Sequence, residues 1–317
     1  MRVFDAHCDT LTTAYRCGQG LRRNTCHVDL EWGRQFDAYA QIFAVWVEDR
    51  YDAHYGPNEM WCFTNTIVDY FERELVQNAD VLELCTTAEQ LQQENGKVKA
   101  ILSLEGGNGL GGDASHVQML YDRGFRIITL TWNGENDLAC GAATGNEIGI
   151  KPLGRQVLAE MKRLHMLADV SHLNERGFYE AAESGCPLIA THSNSRAICD
   201  HVRNLTDEQF LLLRKQGSGA GLNLYPPFVG GKESLRDVVA HLEHFLALGG
   251  EDGVFLGADW DGIDSAAGGL QGIQDLSILQ NELVKLNYPE ALLDKIFYTN
   301  LQKILAKTLS NHGAAII

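Results

Sequence analysis

Six side chains in this sequence could do metal or acid–base chemistry, and each follows a short apolar run. Glu105 ends the run Leu102-Ser103-Leu104 and is followed at once by Gly106 and Gly107. His7 and Asp9 stand two apart just past Val3-Phe4. His172 follows Ala168-Asp169-Val170-Ser171, His192 follows Ile189-Ala190-Thr191, and Asp259 follows Leu256-Gly257-Ala258. Taken singly, each histidine is as well explained by an ordinary hydrogen bond, and short motifs match often by chance. Taken together, they place acids and imidazoles at the downstream ends of five apolar segments. Imidazole and carboxylate in one cluster suit zinc or another first-row divalent ion. Three histidines cannot fill two metal shells, but a bridging carboxylate can be shared. His7, Asp9 and Glu105 would hold one ion, and Glu105, His172 and His192 the other. Such a pair lowers the pKa of a shared water and polarises a carbonyl, which is machinery for hydrolysis. Asp259 is then left to take the proton of the attacking water and pass it to the leaving amine.

These residues need a scaffold that gathers strand ends. The apolar pattern predicts strands at 3–7, 39–47, 99–104, 127–131, 167–170, 188–191, 220–224 and 254–258. Helical spacing predicts helices at 59–77, 87–94, 114–124, 153–164, 174–184, 206–215 and 234–248, and two more at 273–286 and 289–307. The segment carrying Gly18, Gly20 and Asn24 reads as a polar loop. Eight strands alternating with helices imply a parallel sheet, and that number favours a closed (β/α)8 TIM barrel over an open sheet. In such a barrel the C-terminal strand ends converge on one mouth. Residues spaced two apart in a strand share a face, so His7 and Asp9 point together and Cys8 points into packing. No dinucleotide fingerprint follows the first strand, and Gly106 to Gly112 lacks the lysine of a phosphate loop. His116, His165, His241 and His244 fall on predicted helices. His27, His54, His201 and His312 fall in loops or the tail.

Composition bounds the rest. The 317 residues suit one α/β barrel domain over 1–317, with the helices at 273–307 packed on it. A net charge of −16 argues against nucleic acid or an anionic membrane as partner. Eight scattered cysteines without a C-x-x-C point to free thiols in a reducing compartment. The first residues run straight into a strand pattern, and no apolar stretch reaches bilayer length. The tail Gly313-Ala314-Ala315-Ile316-Ile317 is short for a lipid-anchor signal. A cytoplasmic protein is expected, and a homodimer is the base-rate assembly.

The ordered set His7-x-Asp9, Glu105-Gly-Gly, Asp169-Val-Ser-His172, Thr191-His192-Ser193 and Gly257-Ala-Asp259-Trp-Asp261-Gly262 resembles the renal (membrane) dipeptidase family of the metal-dependent amidohydrolase barrels. The likeness runs from residue 3 to about 305. It implies a zinc-dependent dipeptidase that cleaves through a metal-bridging hydroxide. Two Zn2+ per chain would be held by His7, Asp9, Glu105, His172 and His192, with Asp259 as the catalytic acid/base. Arg203, in His201-Val-Arg-Asn-Leu, resembles the arginine that grips the substrate's C-terminal carboxylate, a task a guanidinium fork suits. Tyr225 resembles a pocket tyrosine at the same end. After Thr129-Leu130-Thr131 the animal enzymes carry a histidine on the substrate's carbonyl side, whereas here Trp132 and Asn133 follow. That departure bears on substrate range, with Asn133 a candidate to assist the metals. The family also tolerates a C-terminal D-residue. The alternative is another binuclear amidohydrolase acting on cyclic amides or lactones. Relatives of that kind often use a carboxylated lysine from the fourth strand, where this chain has Thr131 and Trp132.

Overall fold

The computed structural model describes residues 1–48, 56–231 and 234–310, so His54, His312 and the tail at 313–317 lie outside the described residues. Among those described, nine strands form. They are β1 (Arg2–Cys8), β2 (Ala38–Trp46), β3 (Leu82–Leu84), β4 (Val98–Glu105), β5 (Phe125–Thr129), β6 (Leu167–Asp169), β7 (Leu188–Ile189), β8 (Ala220–Leu222) and β9 (Val254–Leu256). All pair in parallel, in the order β7-β6-β5-β4-β2-β1-β9-β8. A parallel bridge between Ala190 and Ala220 joins the two ends of that order. The result is a nearly closed (β/α)8 barrel. β3 adds no stave: Leu82 and Leu84 pair with Val98 and Ala100, alongside the part of β4 that precedes its pairing with β5 at Leu102.

The eight expected strands all form, and the expected third strand is β4. Among the elements that the apolar pattern missed are β3 and the helices Thr10–Arg16, Leu30–Gly33 and Pro226–Val229. β3 is three residues long, too short to show a period. Thr10–Arg16 is a helix where a polar loop was expected. Its three threonines are poor helix formers, and tertiary bonds hold them. Thr10 Oγ1 donates to Asp261 Oδ2 at 2.5 Å, and the amide of Trp46 donates to Thr12 Oγ1 at 3.1 Å. The capping pattern at Thr206 behaves as expected: its hydroxyl accepts from the Gln209 amide and starts the helix Asp207–Lys215. Among the described residues no helix is long and apolar enough to cross a membrane.

The strands carry two apolar faces. Phe4, Ile42, Ile101, Ile127, Leu167, Ile189 and Phe255 fill the barrel interior, together with Leu301, Leu305 and Leu309 of the last helix, Asn300–Ser310. That helix closes the end of the barrel opposite Glu105. Val3, Phe43, Leu102, Leu104, Ile128, Leu188 and Leu256 face outward under the surrounding helices. Beyond the interior apolar layer, the next inward residues are polar: Ser103 and Glu105 on β4, Thr129 on β5 and Asp169 on β6.

β1 breaks its own alternation. Asp5 pairs with Gln41 and Cys8 with Phe43, so three steps on β1 match two on β2. One extra residue in a strand is a bulge, and it reverses the parity beyond it. Phe4 and Ala6 face the interior, but Cys8, at even spacing from them, belongs to the outer core. His7 is thereby turned into the mouth.

Candidate metal centre

Glu105 is the meeting point. Its Oε2 lies 3.2 Å from His7 Nε2, and its Oε1 lies 2.9 Å from His172 Nε2 and 3.6 Å from His192 Nε2. His7 Nε2 is also 3.7 Å from Asp9 Oδ1 and 3.9 Å from Asp259 Oδ1. Three overlapping groups follow, each compact enough to hold a cation: His7–Asp9–Glu105, Glu105–His172–His192 and His7–His192–Asp259. All six side chains are buried. The structure therefore brings together the six residues singled out at strand ends, although they span residues 7 to 259.

Local backbone makes this convergence feasible. Gly106 has φ 91°, and a Cβ there would fall 2.3 Å from the Val47 carbonyl oxygen, so the chain can turn sharply after Glu105. A Cβ at Gly262 would lie 2.4 Å from Asp9 Oδ2 and 2.5 Å from Asp259 Oδ1, so glycine there lets two carboxylates approach. His172, Asp259 and Asp261 hold φ of 67°, 68° and 64°. Left-handed backbone at three non-glycine residues is unusual and collects at functional sites.

The ring orientations are fixed from behind. His192 Nδ1–H donates to Thr191 Oγ1 at 2.7 Å, and that hydroxyl donates to Asp169 Oδ2 at 2.6 Å. Asp169 also accepts from Thr129 Oγ1 and from the amides of Ser171 and Thr191. His172 Nδ1–H donates to Asn133 Oδ1 at 2.9 Å. In both rings the Nε2 lone pair is left facing Glu105, which is how supporting groups commonly orient metal-binding histidines. The sequence reading passed over Asp169 and Thr191 in these roles. Their signal was present, since both sit inside the motifs that carry His172 and His192.

Burial lowers the pKa of His172 and His192 well below the usual range, with the neighbouring cations Arg203 and His7 adding to it, so both rings are neutral. Burial pushes the Glu105 carboxyl up to about 8, against the pull of His7. His7 behaves oppositely: burial disfavours its charge, but Glu105 and Asp9 beside it outweigh burial and raise its pKa. Burial likewise raises Asp259, whose Oδ2 accepts from Asn223 Nδ2 at 2.8 Å. This cluster is short of positive charge. Nε2 of His7 and His192, Asp9 Oδ1 and Glu105 Oε2 are buried and have no hydrogen-bond partner among the described residues. Buried polar atoms are rarely left so, and a cation between them would satisfy all four. The donor set of imidazole nitrogens and carboxylate oxygens fits a divalent ion such as zinc.

The centre opens into a cleft of about 340 Å³. Trp132, Asn133, Tyr225 and Phe228 line it beside Asp9, Glu105, His172 and Asp259. Arg203 is buried, with its guanidinium carbon 5.3 Å from the Phe228 ring centre. Its Nε and Nη2 lack hydrogen-bond partners among the described residues. Burial lowers its pKa to about 10, although Asp259, Glu105 and Asp169 favour its charge. A buried guanidinium with two unused nitrogens has the donors to pair with an anion.

A family model described as membrane dipeptidase (peptidase family M19) matches residues 1–315. An uncharacterized protein in the pqqA 5′ region of Klebsiella pneumoniae is 32% identical over 246 residues, covering 73% of this chain and 90% of that protein. A metallo peptidase from Rhodobacter sphaeroides, solved with a phosphinate mimic of the dipeptide L-Ala-D-Ala, superposes with a TM-score of 0.89 at 26% identity. The match covers 97% of this chain and 99% of that one. A solved metallo peptidase, dipeptidase AC, gives 0.90 at 26% identity, covering 98% and 99%.

Proposed function

The chain belongs to the membrane dipeptidase family, peptidase family M19, and we propose that its metallo-dipeptidase activity depends on two zinc ions that share Glu105. The observation that carries this reading is the set of orphaned buried donors around that one carboxylate. His7 and Asp9 would complete one ion's protein ligands, and His172 and His192 the other's. Bound there, the ions would supply Lewis acidity to the scissile carbonyl and bring the pKa of water toward ~7.

The chain's own groups do the remainder. Asn223 holds Asp259 Oδ2, which leaves Oδ1 directed toward the His7 side of the centre. Asp259 accepts the proton lost by the attacking water and returns it to the departing amine nitrogen, so one water and one peptide bond yield two amino acids. Arg203 offers Nε and Nη2 to the substrate's C-terminal carboxylate, and Tyr225 bounds the same end of the cleft. Asn133 spends its Oδ1 on His172 and keeps its amide N–H groups for a substrate oxygen, while Trp132 walls the cleft beside it. The Rhodobacter sphaeroides relative's ligand supports extending the substrates to dipeptides ending in a D-residue.

Three coarser properties go with this reading. Residues 1–317 act as one domain, because the last helix and the barrel interior share one apolar cluster. The eight cysteines are all free thiols, which suits the cytoplasm. A homodimer is the assembly assigned on base rates. The test is a panel of L,L- and L,D-dipeptides, cyclic amides and lactones, run with metal analysis of the purified protein. Dipeptide turnover with about two zinc ions per chain is expected, together with retained metal but lost turnover in Asp259→Asn. Turnover of rings alone, or less than one ion after reconstitution, would overturn it.

A further inference from the structure

The cleft holds a second arginine that dipeptide hydrolysis as described above leaves unused. Arg16 ends the helix Thr10–Arg16 and, among the described residues, lines the open cleft itself, whereas Arg203 is buried behind it. Its guanidinium carbon lies 5.0 Å from the Trp46 ring centre and 5.6 Å from that of Phe63. Trp46 packs edge-on against Trp132 at 5.3 Å, and Trp132 lies 6.3 Å from His172. A ladder of rings thus runs from the metal donors outward to Arg16. The bond between the Trp46 amide and Thr12 Oγ1 ties the helix to the end of β2, so the ladder is anchored at both ends. Arg16 is exposed, and although Asp9, Asp261 and Asp264 line the same cleft, none of them forms an ion pair with it. Stacking on aromatic faces holds a guanidinium in place without neutralising it.

The order of strands says which part of a substrate Arg16 would meet. Around the eight staves β2 stands opposite β7. Arg203 lies in the segment after β7, and Arg16 sits on the end of β2. The donor cluster lies between them. A dipeptide whose terminal carboxylate is on Arg203 and whose carbonyl is at the centre directs its N-terminal residue toward Arg16. We propose that Arg16 selects dipeptides whose N-terminal residue carries a carboxylate side chain, aspartate or glutamate. This rests on the proposed placement of the substrate carboxylate on Arg203.

The test compares kcat/KM for L-Glu-Ala with its neutral isostere L-Gln-Ala and with L-Lys-Ala, each made with L- and D-alanine. In the metal-loaded wild-type enzyme the Glu substrate is favoured over Gln by about two- to fivefold, the size of an exposed charge pair. Arg16→Met brings the Glu/Gln ratio to near one, Arg16→Lys retains most of it, and Arg16→Glu shifts preference to the Lys substrate. A wild-type ratio near one, or a ratio untouched by Arg16→Met, overturns the proposal. Failure to hydrolyse any dipeptide overturns the dipeptidase reading beneath it as well, so the two failures are told apart by whether L-Gln-Ala turns over.

Discussion

Two buried aspartates stand behind the two sides of the donor cluster; each accepts two backbone amides, and they differ in what they add to that grip. Asp169 accepts from the amides of Ser171 and Thr191 and adds a grip on side chains: its Oδ2 accepts from the hydroxyls of Thr129 and Thr191, and Thr191 in turn receives the His192 ring. Asp5 holds the same kind of amide pair, His7 and Ala258, but relays to no histidine ring: its further partner is Gln41 Nε2, and together these bonds knot β1, β2 and β9 at the bulge. Burial raises the Asp5 pKa to about 6. The first device fixes a rotamer, and the second fixes which way the chain itself faces. A rotamer can be loosened by degrees through a relay of single bonds. A bulge is either present or absent, because losing it returns His7 to the outward face.

That contrast can be broken in four places. Glu105→Gln strikes both sides at once, and activity should fall by about 10³-fold or more, with metal content well below two per chain by elemental analysis. If Glu105→Gln keeps both ions, the shared-carboxylate arrangement is wrong. Asp5→Ala should cost several kcal/mol of stability in chemical denaturation, since two buried amides lose their acceptor at about 1–3 kcal/mol each. It should also cost occupancy on the His7 side. Asp169→Asn should leave the fold nearly intact and weaken one of two metal-binding steps by about 10- to 100-fold, the usual size for a supporting partner. Calorimetric titration of the metal-free protein separates the steps, and equal weakening of both would erase the distinction between the two sides. Thr191→Val should produce the smallest change, a few-fold loss of affinity in that same step, restored by Thr191→Ser because serine returns the hydroxyl.

Much of the scaffold was legible in the sequence because long apolar runs bounded by glycine and polar clusters leave little choice of element. Lys99 to Leu104 and Val254 to Ala258 read as buried strands and form them within two residues. The helix Thr10–Arg16 was not legible. Its threonines favour other conformations, and the bonds that hold it come from Asp261 and Trp46, distant in sequence. That omission hid Arg16, since a residue in a supposed loop gives no direction. The donors were legible through position, as acids and imidazoles where apolar runs stop. Asp5, Asn223 and Thr191 were not, because a buried aspartate, asparagine or threonine looks in sequence like any polar residue at a turn. Asn133 was legible as a cleft residue, but its bond to His172 was not.

The sequence alone determined the number of staves, their parallel sense and the residues that end them, because period and punctuation are local properties of the chain. It could not determine that His7 faces inward. Strict alternation along Val3 to Cys8 puts His7 on the face of Val3, which lies under the outer helices. Three residues of β1 fit against two of β2 only when Gln41 and Ala258 are in place to pin Asp5. The direction of that imidazole is thus a property of three strands packed together, with contacts that reach from residue 5 to residue 258.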